Sequence, residues 1–410
     1  MSSALLTNVK KLSERVLQVN VREPPYNLLI RMKDSHNAWK VAFVVVALGV
    51  LMLKLLLAFS TRGAADISVW KDFVVHINEC GVCVYHTGGL MQYPGGTRVN
   101  PFNHPPFIIH LLKFVNVLSL QTGLAFETVF RSLTSLVDVG TAVVAYHILR
   151  REQIFSSQAF VLYLLAPATI VISGYHGNTD TVMIFLVLLA ALLISTPWLA
   201  GVAFGMALNI KVVPIVFLFT FVQKCEGGRK KLWFLGMTLL VVLVASLPFL
   251  FQDPVAIAKG VLGYRGFTGR WGLSRALFAS LGPSELYQTV TRLSTYLLLA
   301  FIFYLSWRSK TRPLIVSLGL LAFIFIAFTP AWGTNYMAWL DPFAIALGPG
   351  PALAYYLTSG AMLGYLYFVN DDESTRLISI SWMVVLLLTW LFIKRIKQLQ
   401  RSNHEGPDRP

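Results

Sequence analysis

Charge is what this 410-residue sequence has least of: 13% of it is Asp, Glu, Lys or Arg, against 56% hydrophobic residues. A soluble domain of that size needs a polar shell that such a composition cannot supply, so a polytopic membrane protein is expected instead. Cysteine is scarce as well. Cys80, Cys83 and Cys225 are too few, at these spacings, to build a zinc site. The run Cys80-Gly81-Val82-Cys83 reads either as a local disulfide or as two unpaired thiols. The sequence also lacks a phosphate-cradling Gly-rich loop, a zinc motif, a nucleophile elbow and any fixed-period repeat. Acidic residues are in deficit, 19 against 34 basic ones, for a net charge of +15. The basic excess lies beside apolar runs. That is the pattern of membrane topology and of contact with membrane lipids, and it argues against a nucleic-acid partner.

What is present is a series of apolar runs from Val41 to Ile393 with short breaks and no separate soluble domain. Residues 1–40 hold seven Lys or Arg and place Leu5, Val9, Leu12, Val16 and Leu17 at helical spacing. They read as a cytoplasmic amphipathic segment, not a cleavable signal. Residues 41–395 read as the transmembrane domain and 396–410 as a cytoplasmic tail. Val41–Phe59 matches a bilayer's thickness, with Lys54 inside it. Ser60–Pro105 then becomes a long extracytoplasmic loop, and long connections usually carry function. Phe107–Leu120 is short and reads as an interfacial helix, because that choice keeps Arg150-Arg151, at the end of the next span Val129–Leu149, inside. Phe155–Ser173 and Asn178–Ser195 form a hairpin of spans. Trp198–Val222 has both ends inside, so it is expected to break near Asn209-Ile210-Lys211. Leu232–Phe251, a basic second loop over Gln252–Glu285, Thr289–Trp307, Leu314–Thr329, Phe343–Leu347, Ala352–Phe368 and Ile378–Ile393 follow. The fold class is therefore all-α: an integral membrane protein of about 10–12 transmembrane or re-entrant helices, with interfacial helices in its first loop and both termini cytoplasmic.

Under this topology the polar outliers gather on one side of the membrane, which makes that side the candidate site. Asp66, just past the first span, suits a general base whose pKa partial burial would raise; as a helix start before Ile67–Ile77 it also suits an N-cap. Asp72 reads as an ion-paired or solvated helix residue. His176 and Asp180, four apart at the mouth of a span, suit hydroxyl or phosphate binding, or simply a polar helix start with Asn178 or Thr179 as cap. His104, before the rigid Pro105-Pro106, is a candidate contact, whereas His76, His86 and His147 read as incidental. Arg265, Arg270 and Arg275 could clamp a phosphate bidentately or form a headgroup rim. The glycines and aromatics in Tyr264-Arg265-Gly266-Phe267-Thr268-Gly269-Arg270-Trp271 favour a shaped site.

The order of these elements resembles the GT-C superfamily of polytopic glycosyltransferases. The likeness runs from Ala65-Asp66-Ile67 through His104-Pro105-Pro106-Phe107, Arg131 and Tyr175-His176-Gly177-Asn178-Thr179-Asp180. It continues through Gly201-Val202-Ala203-Phe204-Gly205-Met206-Ala207 with Lys211 and Pro214, and Pro330-Ala331-Trp332-Gly333-Thr334-Asn335-Tyr336. Most of 41–395 is covered, and the nearest flavour is the mannosyltransferases that use polyprenyl- or dolichyl-phosphate sugars. The resemblance implies inverting transfer of one sugar, outside the cytoplasm or in the ER lumen, from a polyprenyl- or dolichyl-phosphate donor to a glycan or lipid-linked acceptor. Asp66 would be the base. His104, His176, Asp180, Lys211, Arg265, Arg270, Arg275 and Tyr336 would bind substrate, with Lys211 and the arginines neutralising the leaving phosphate. Asp66 is followed by Ile67-Ser68, so the paired Asp-x-Asp of some members is missing and Asp66 would act alone. No cofactor is implied, and a divalent metal stays open. The competing readings are a transporter or flippase of lipid-linked sugars, and a lipid-linked glycan ligase or polymerase.

Overall fold

The computed structural model describes residues 36–93, 96–154, 157–264, 266–308, 312–369 and 374–404. Most of the N-terminal segment expected over 1–40, the last residues of the tail and Arg265 lie outside them. From Ala47 onward the chain forms one compact unit, and residues up to Val46 form another, of which the first turns of a helix are described.

Helix α1 runs His36–Ser60 and α2 Ala65–Cys80. After two short helical turns (Gly81–Cys83 and Val84–Thr87), strands β1 Gly89–Tyr93 and β2 Gly96–Asn100 form an antiparallel hairpin in which Leu90 faces Val99. Then come α3 Phe107–Thr122, α4 Phe126–Arg151, α5 Ser157–Leu164, α6 Asp180–Leu192, α7 Pro197–Ile210, α8 Leu218–Lys224 and α9 Gly228–Leu250. The chain continues with α10 Pro254–Gly263, α11 Gly272–Leu281, α12 Glu285–Trp307, α13 Leu314–Phe328, α14 Met337–Ala344, α15 Pro349–Phe368 and α16 Ser374–His404.

Among the described residues five helices are long and apolar enough to cross a membrane: the Val41–Ser60 part of α1, then α4, α9, α12 and the Arg376–Gln398 part of α16. Each coincides with a span expected from the sequence. Their outward faces keep large apolar side chains exposed (Met52, Leu56, Val244 and Leu297 among them), as lipid-facing helices do. Helix α13 has no polar face and is buried almost throughout, which makes it a core helix. Helix α7 packs between α6 and α9. Gly201 and Gly205 permit this: a Cβ at either would come within 2.4 and 2.8 Å of the backbone oxygens of Phe234 and Thr238.

Two expectations need amendment. The first loop holds a hairpin that the helical reading did not include, although helices dominate the fold. The span over Phe155–Ser173 is not one helix either. Pro167 has no N–H to continue the ladder, Ala166 before it is extended, and the chain re-forms as one turn over Pro167–Ile170 and a π-turn over Val171–His176. The expected break in Trp198–Val222 is present: α7 stops at Ile210 and Lys211 is extended (φ −148°, ψ 149°). Cys80 and Cys83 are joined as a disulfide, their Cα atoms 5.6 Å apart.

Lys54 explains how a charge is tolerated in α1. It is fully buried and ion-paired with Asp138 of α4, whose other oxygen accepts the Tyr163 hydroxyl at 2.7 Å. Removing one partner would strand the other in the protein interior, at about 3–5 kcal/mol.

Candidate active site

Asp66 stands in the first turn of α2. The cap position belongs to Ala64, with no side-chain cap bond, so the N-cap alternative for Asp66 is not what the structure has. Its Oδ2 instead lies 2.8 Å from His176 Nε2 and 3.2 Å from Asn178 Nδ2. Both recorded bonds fall on Oδ2, and the side chain is 33% exposed, which leaves Oδ1 for another donor. A carboxylate only accepts, so His176 Nε2 carries the hydrogen. Its Nδ1 meets the hydroxyl of Tyr367, which also meets Thr334 Oγ1 at 2.8 Å. Burial raises the Asp66 pKa, but His176, Lys211 and Asn178 outweigh it and hold the carboxyl below its usual value. That is the opposite of the rise expected from burial alone, and the difference is the cationic and hydrogen-bonding partners.

The position of His176 follows from the backbone. The π-turn ends at Gly177, in the left-handed region at φ 76°, with its N–H on Ile172 O at 3.0 Å. A Cβ there would fall 2.8 Å from Ile67 Cδ1 and 2.9 Å from Arg131 Cγ, so only glycine lets this turn meet α2. Arg131 of α4 is buried and fixes both sides. It donates to the carbonyls of Ala58 and Thr61 at 2.8 Å each, at the C-terminus of α1, and to Tyr175 O at 3.4 Å. The orphan carbonyls of a helix end thus serve to hold the Asp66 segment against the His176 turn.

Lys211 enters from the break after α7. Its ammonium pairs with fully buried Asp180 and lies 5.5 Å from the Tyr336 ring and 5.7 Å from the Trp339 ring. Asp180 also accepts from Asn335. Burial raises the pKa of the Tyr336 hydroxyl, which is a neutral donor. His104 is buried against Trp70, ring centroids 4.7 Å apart, with Nδ1 3.3 Å from Ile210 O. Burial and then Lys211 push its pKa down to about 3, so the ring is neutral and braces the last turn of α7.

Six of the expected site residues therefore share one neighbourhood: Asp66, His104, His176, Asp180, Lys211 and Tyr336. Arg265 lies outside the described residues. Arg270 is exposed and stacks on Phe267, 5.5 Å from the ring centroid, and Arg98 of β2 lies 5.6 Å from the same centroid. Arg275 is half-buried in the first turns of α11. Their loop is stitched to the Pro330–Tyr336 segment by the Thr268–Ala331 bridge, by Trp332 N on Phe267 O at 3.0 Å and by stacked Trp271 and Trp332. Asn178, Asn335, Thr334, Tyr367 and Arg131 were not singled out as site residues. Asn178, Thr334 and Asn335 sit inside motifs already read as polar, whereas Tyr367 ends an apolar run and gives no local signal. Asp72 accepts Leu90 N at 2.7 Å, and His86 meets Asp253 at 2.8 Å.

Beside the break, an apolar groove of about 380 Å³ is lined by Pro105, Leu208, Val212, Ile215, Leu250 and Ile257 among others. Among the described residues no three His, Cys, Asp or Glu side chains converge as metal ligands would.

The model of glycosyltransferase family 87 matches residues 102–329, more than half of the chain. A polyprenol-phosphate-mannose-dependent alpha-(1-2)-phosphatidylinositol mannoside mannosyltransferase of Mycolicibacterium smegmatis is 25% identical over 230 residues, 51% of this chain and 49% of that protein. The aligned part spans about half the length of that relative. Among solved structures, ArnT from Cupriavidus metallidurans in the apo state aligns at a TM-score of 0.48 and 17% identity over 87% of this chain and 76% of ArnT. The same protein bound to undecaprenyl phosphate aligns at 0.42 and 16% over 88% and 79%.

Proposed function

This chain belongs to glycosyltransferase family 87, and from that premise we propose that it moves one sugar, mannose, from a polyprenyl-phosphate donor to a hydroxyl of a lipid-linked or other extracytoplasmic acceptor. The transfer inverts the anomeric centre. The observation that carries this reading is Asp66, a carboxylate with one oxygen held by His176 and Asn178 and the other without a hydrogen-bond partner among the described residues. Its lowered pKa keeps it ionised at neutral pH, ready to accept a proton.

In the proposed step Asp66 Oδ1 takes the proton of the acceptor hydroxyl. The acceptor oxygen bonds to the anomeric carbon while the bond from that carbon to the donor phosphate oxygen breaks, and polyprenyl phosphate leaves. Negative charge grows on the departing phosphate, and Lys211 is the cation we assign to meet it, its ammonium held by Asp180, itself bonded to Asn335, and by Tyr336 and Trp339. His104 acts on the site through Lys211, because its ring is enclosed and bonded to Ile210. The groove beside the break suits the prenyl chain, since Asn209 and Val212, on either side of Lys211, both line it. Mannose is favoured by the mycobacterial relative, whose name states its donor.

Purified protein given labelled prenyl-phosphate mannose and an extracytoplasmic acceptor tests the assignment. Asp66→Asn keeps the shape and removes the base. It is expected to keep donor binding while turnover falls by about 10²–10⁴-fold. Normal turnover in that variant would overturn the role of Asp66.

A further inference from the structure

A second polar cavity lies at the other end of the 26-residue helix α4, with Arg151 about 30 Å along the axis from Arg131. It has a volume of about 510 Å³ and is lined by Arg151, Lys224, Lys230 and Arg312, with Glu152 and Glu226. Cations outnumber carboxylates there, and the carboxylate that is half-buried is already committed. Glu152 accepts the backbone N–H groups of Leu314 and Ile315 at 3.0 and 3.1 Å, which caps the N-terminus of α13. Glu226 is exposed.

Among the cations, Arg151 Nη2 lies 3.7 Å from Glu152 Oε1. Arg151 spends its guanidinium on the last carbonyls of α6, Ala191 and Leu192, at 2.9 and 2.8 Å. Lys224 donates to the Arg312 carbonyl. The buried Nε of Arg312 meets no acceptor among the described residues, a costly state for a group that favours planar, charge-assisted bonds. Burial holds both Lys224 and Arg312 below their usual pKa values; at Lys224 the charge of Glu152 opposes it and that of Arg312 adds to it.

We propose that this cavity is an anion site that binds a phosphate group, either as the headgroup of an anionic phospholipid or as free phosphate. Arg312 offers a fork that matches phosphate oxygens, and Lys224 and Lys230 add point charges. The volume suits a headgroup-sized ligand. Ile194 and Leu314, which also line the cavity, would receive the apolar start of a lipid. The site uses no residue of the Asp66 cluster and stands independently of the reaction proposed above.

The test uses the full chain in detergent, titrated separately with phosphatidylglycerol, phosphatidylcholine and inorganic phosphate. Lipid retention is read by native mass spectrometry and the unfolding midpoint by a thermal ramp. Phosphatidylglycerol should be retained and raise the midpoint, phosphatidylcholine should do neither, and Arg312→Gln and Lys230→Gln should each weaken retention about tenfold. Lys230 is exposed, so its variant folds normally and guards against misreading a destabilised Arg312 variant. An equal rise with inorganic phosphate alone supports the site and names free phosphate as its ligand. Equal retention of the two lipids with no phosphate effect overturns the proposal, as does wild-type retention in both variants.

Discussion

Asp66 has its Oδ2 engaged twice and its Oδ1 not at all among the described residues, and the balance of charges around it predicts how activity depends on pH. Burial is the largest single influence on its pKa and acts upward; His176, by charge and hydrogen bond, is the largest opposing one, followed by Lys211 and Asn178. A depressed pKa means the carboxylate stays ionised until pH falls through a value below 3.8, so the acid limb of kcat/KM should lie in that low range. His176→Ala removes the leading opponent of burial. The limb should then move upward, and the variant should lose activity at mildly acidic pH where the parent keeps it. A limb that stays put in His176→Ala would show that another group sets it. Asp66 and His176 were both legible in the sequence as ionisable residues at the ends of apolar runs. The direction of the shift was not, because it depends on which cations the fold brings to the carboxylate. His104 makes the same point in reverse: its motif invites a substrate role, while its surroundings turn it into a brace for Ile210.

The elements that place these side chains are short and interrupted, and the interruptions carry the site. The break at Ile210–Lys211 was foreseeable because the run Trp198–Val222 begins after a span that returns inside and ends at the basic Lys224, so it has to turn back. The break at Ala166-Pro167 was missed because the run around it is uniformly apolar and the single proline was not given its weight. Arg131 links the two regions that matter, the C-terminus of α1 and the π-turn. Arg131→Met would leave the carbonyls of Thr61 and Tyr175 without this donor and that of Ala58 with only the Thr128 hydroxyl at 3.4 Å, at about 1–3 kcal/mol for each group left unsatisfied in the interior. The expected outcome is a lower unfolding midpoint together with a fall in kcat that exceeds any rise in KM, since the Asp66–His176 pair loses its registration. Arg131→Lys keeps the charge and should restore part of both. If Arg131→Met lowers the midpoint but leaves kcat at the parent level, the residue is structural only.

At the scale of the whole molecule, the five spanning helices were readable from length and apolarity, because a bilayer imposes both directly. The convergence at the site was not readable, since His176 meets Tyr367 across 191 residues and Asp180 meets Asn335 across 155. No local pattern encodes such pairs. The same convergence sets the apolar groove beside Lys211, and that neighbourhood yields a further expectation. A chain lying in the groove contributes binding that is the same before and at the transition state, so it should appear in KM and not in kcat. Donors shortened to two isoprene units should therefore raise KM by at least about tenfold, given roughly 0.8 kcal/mol per buried methylene, with kcat little changed. Ile215→Asn, on the groove wall and away from Asp66, should raise KM for the long donor while leaving KM for the short one nearly unaltered. Equal KM values for long and short donors in the parent protein would show that the prenyl chain lies elsewhere, and would leave the assignment of Asp66 untouched.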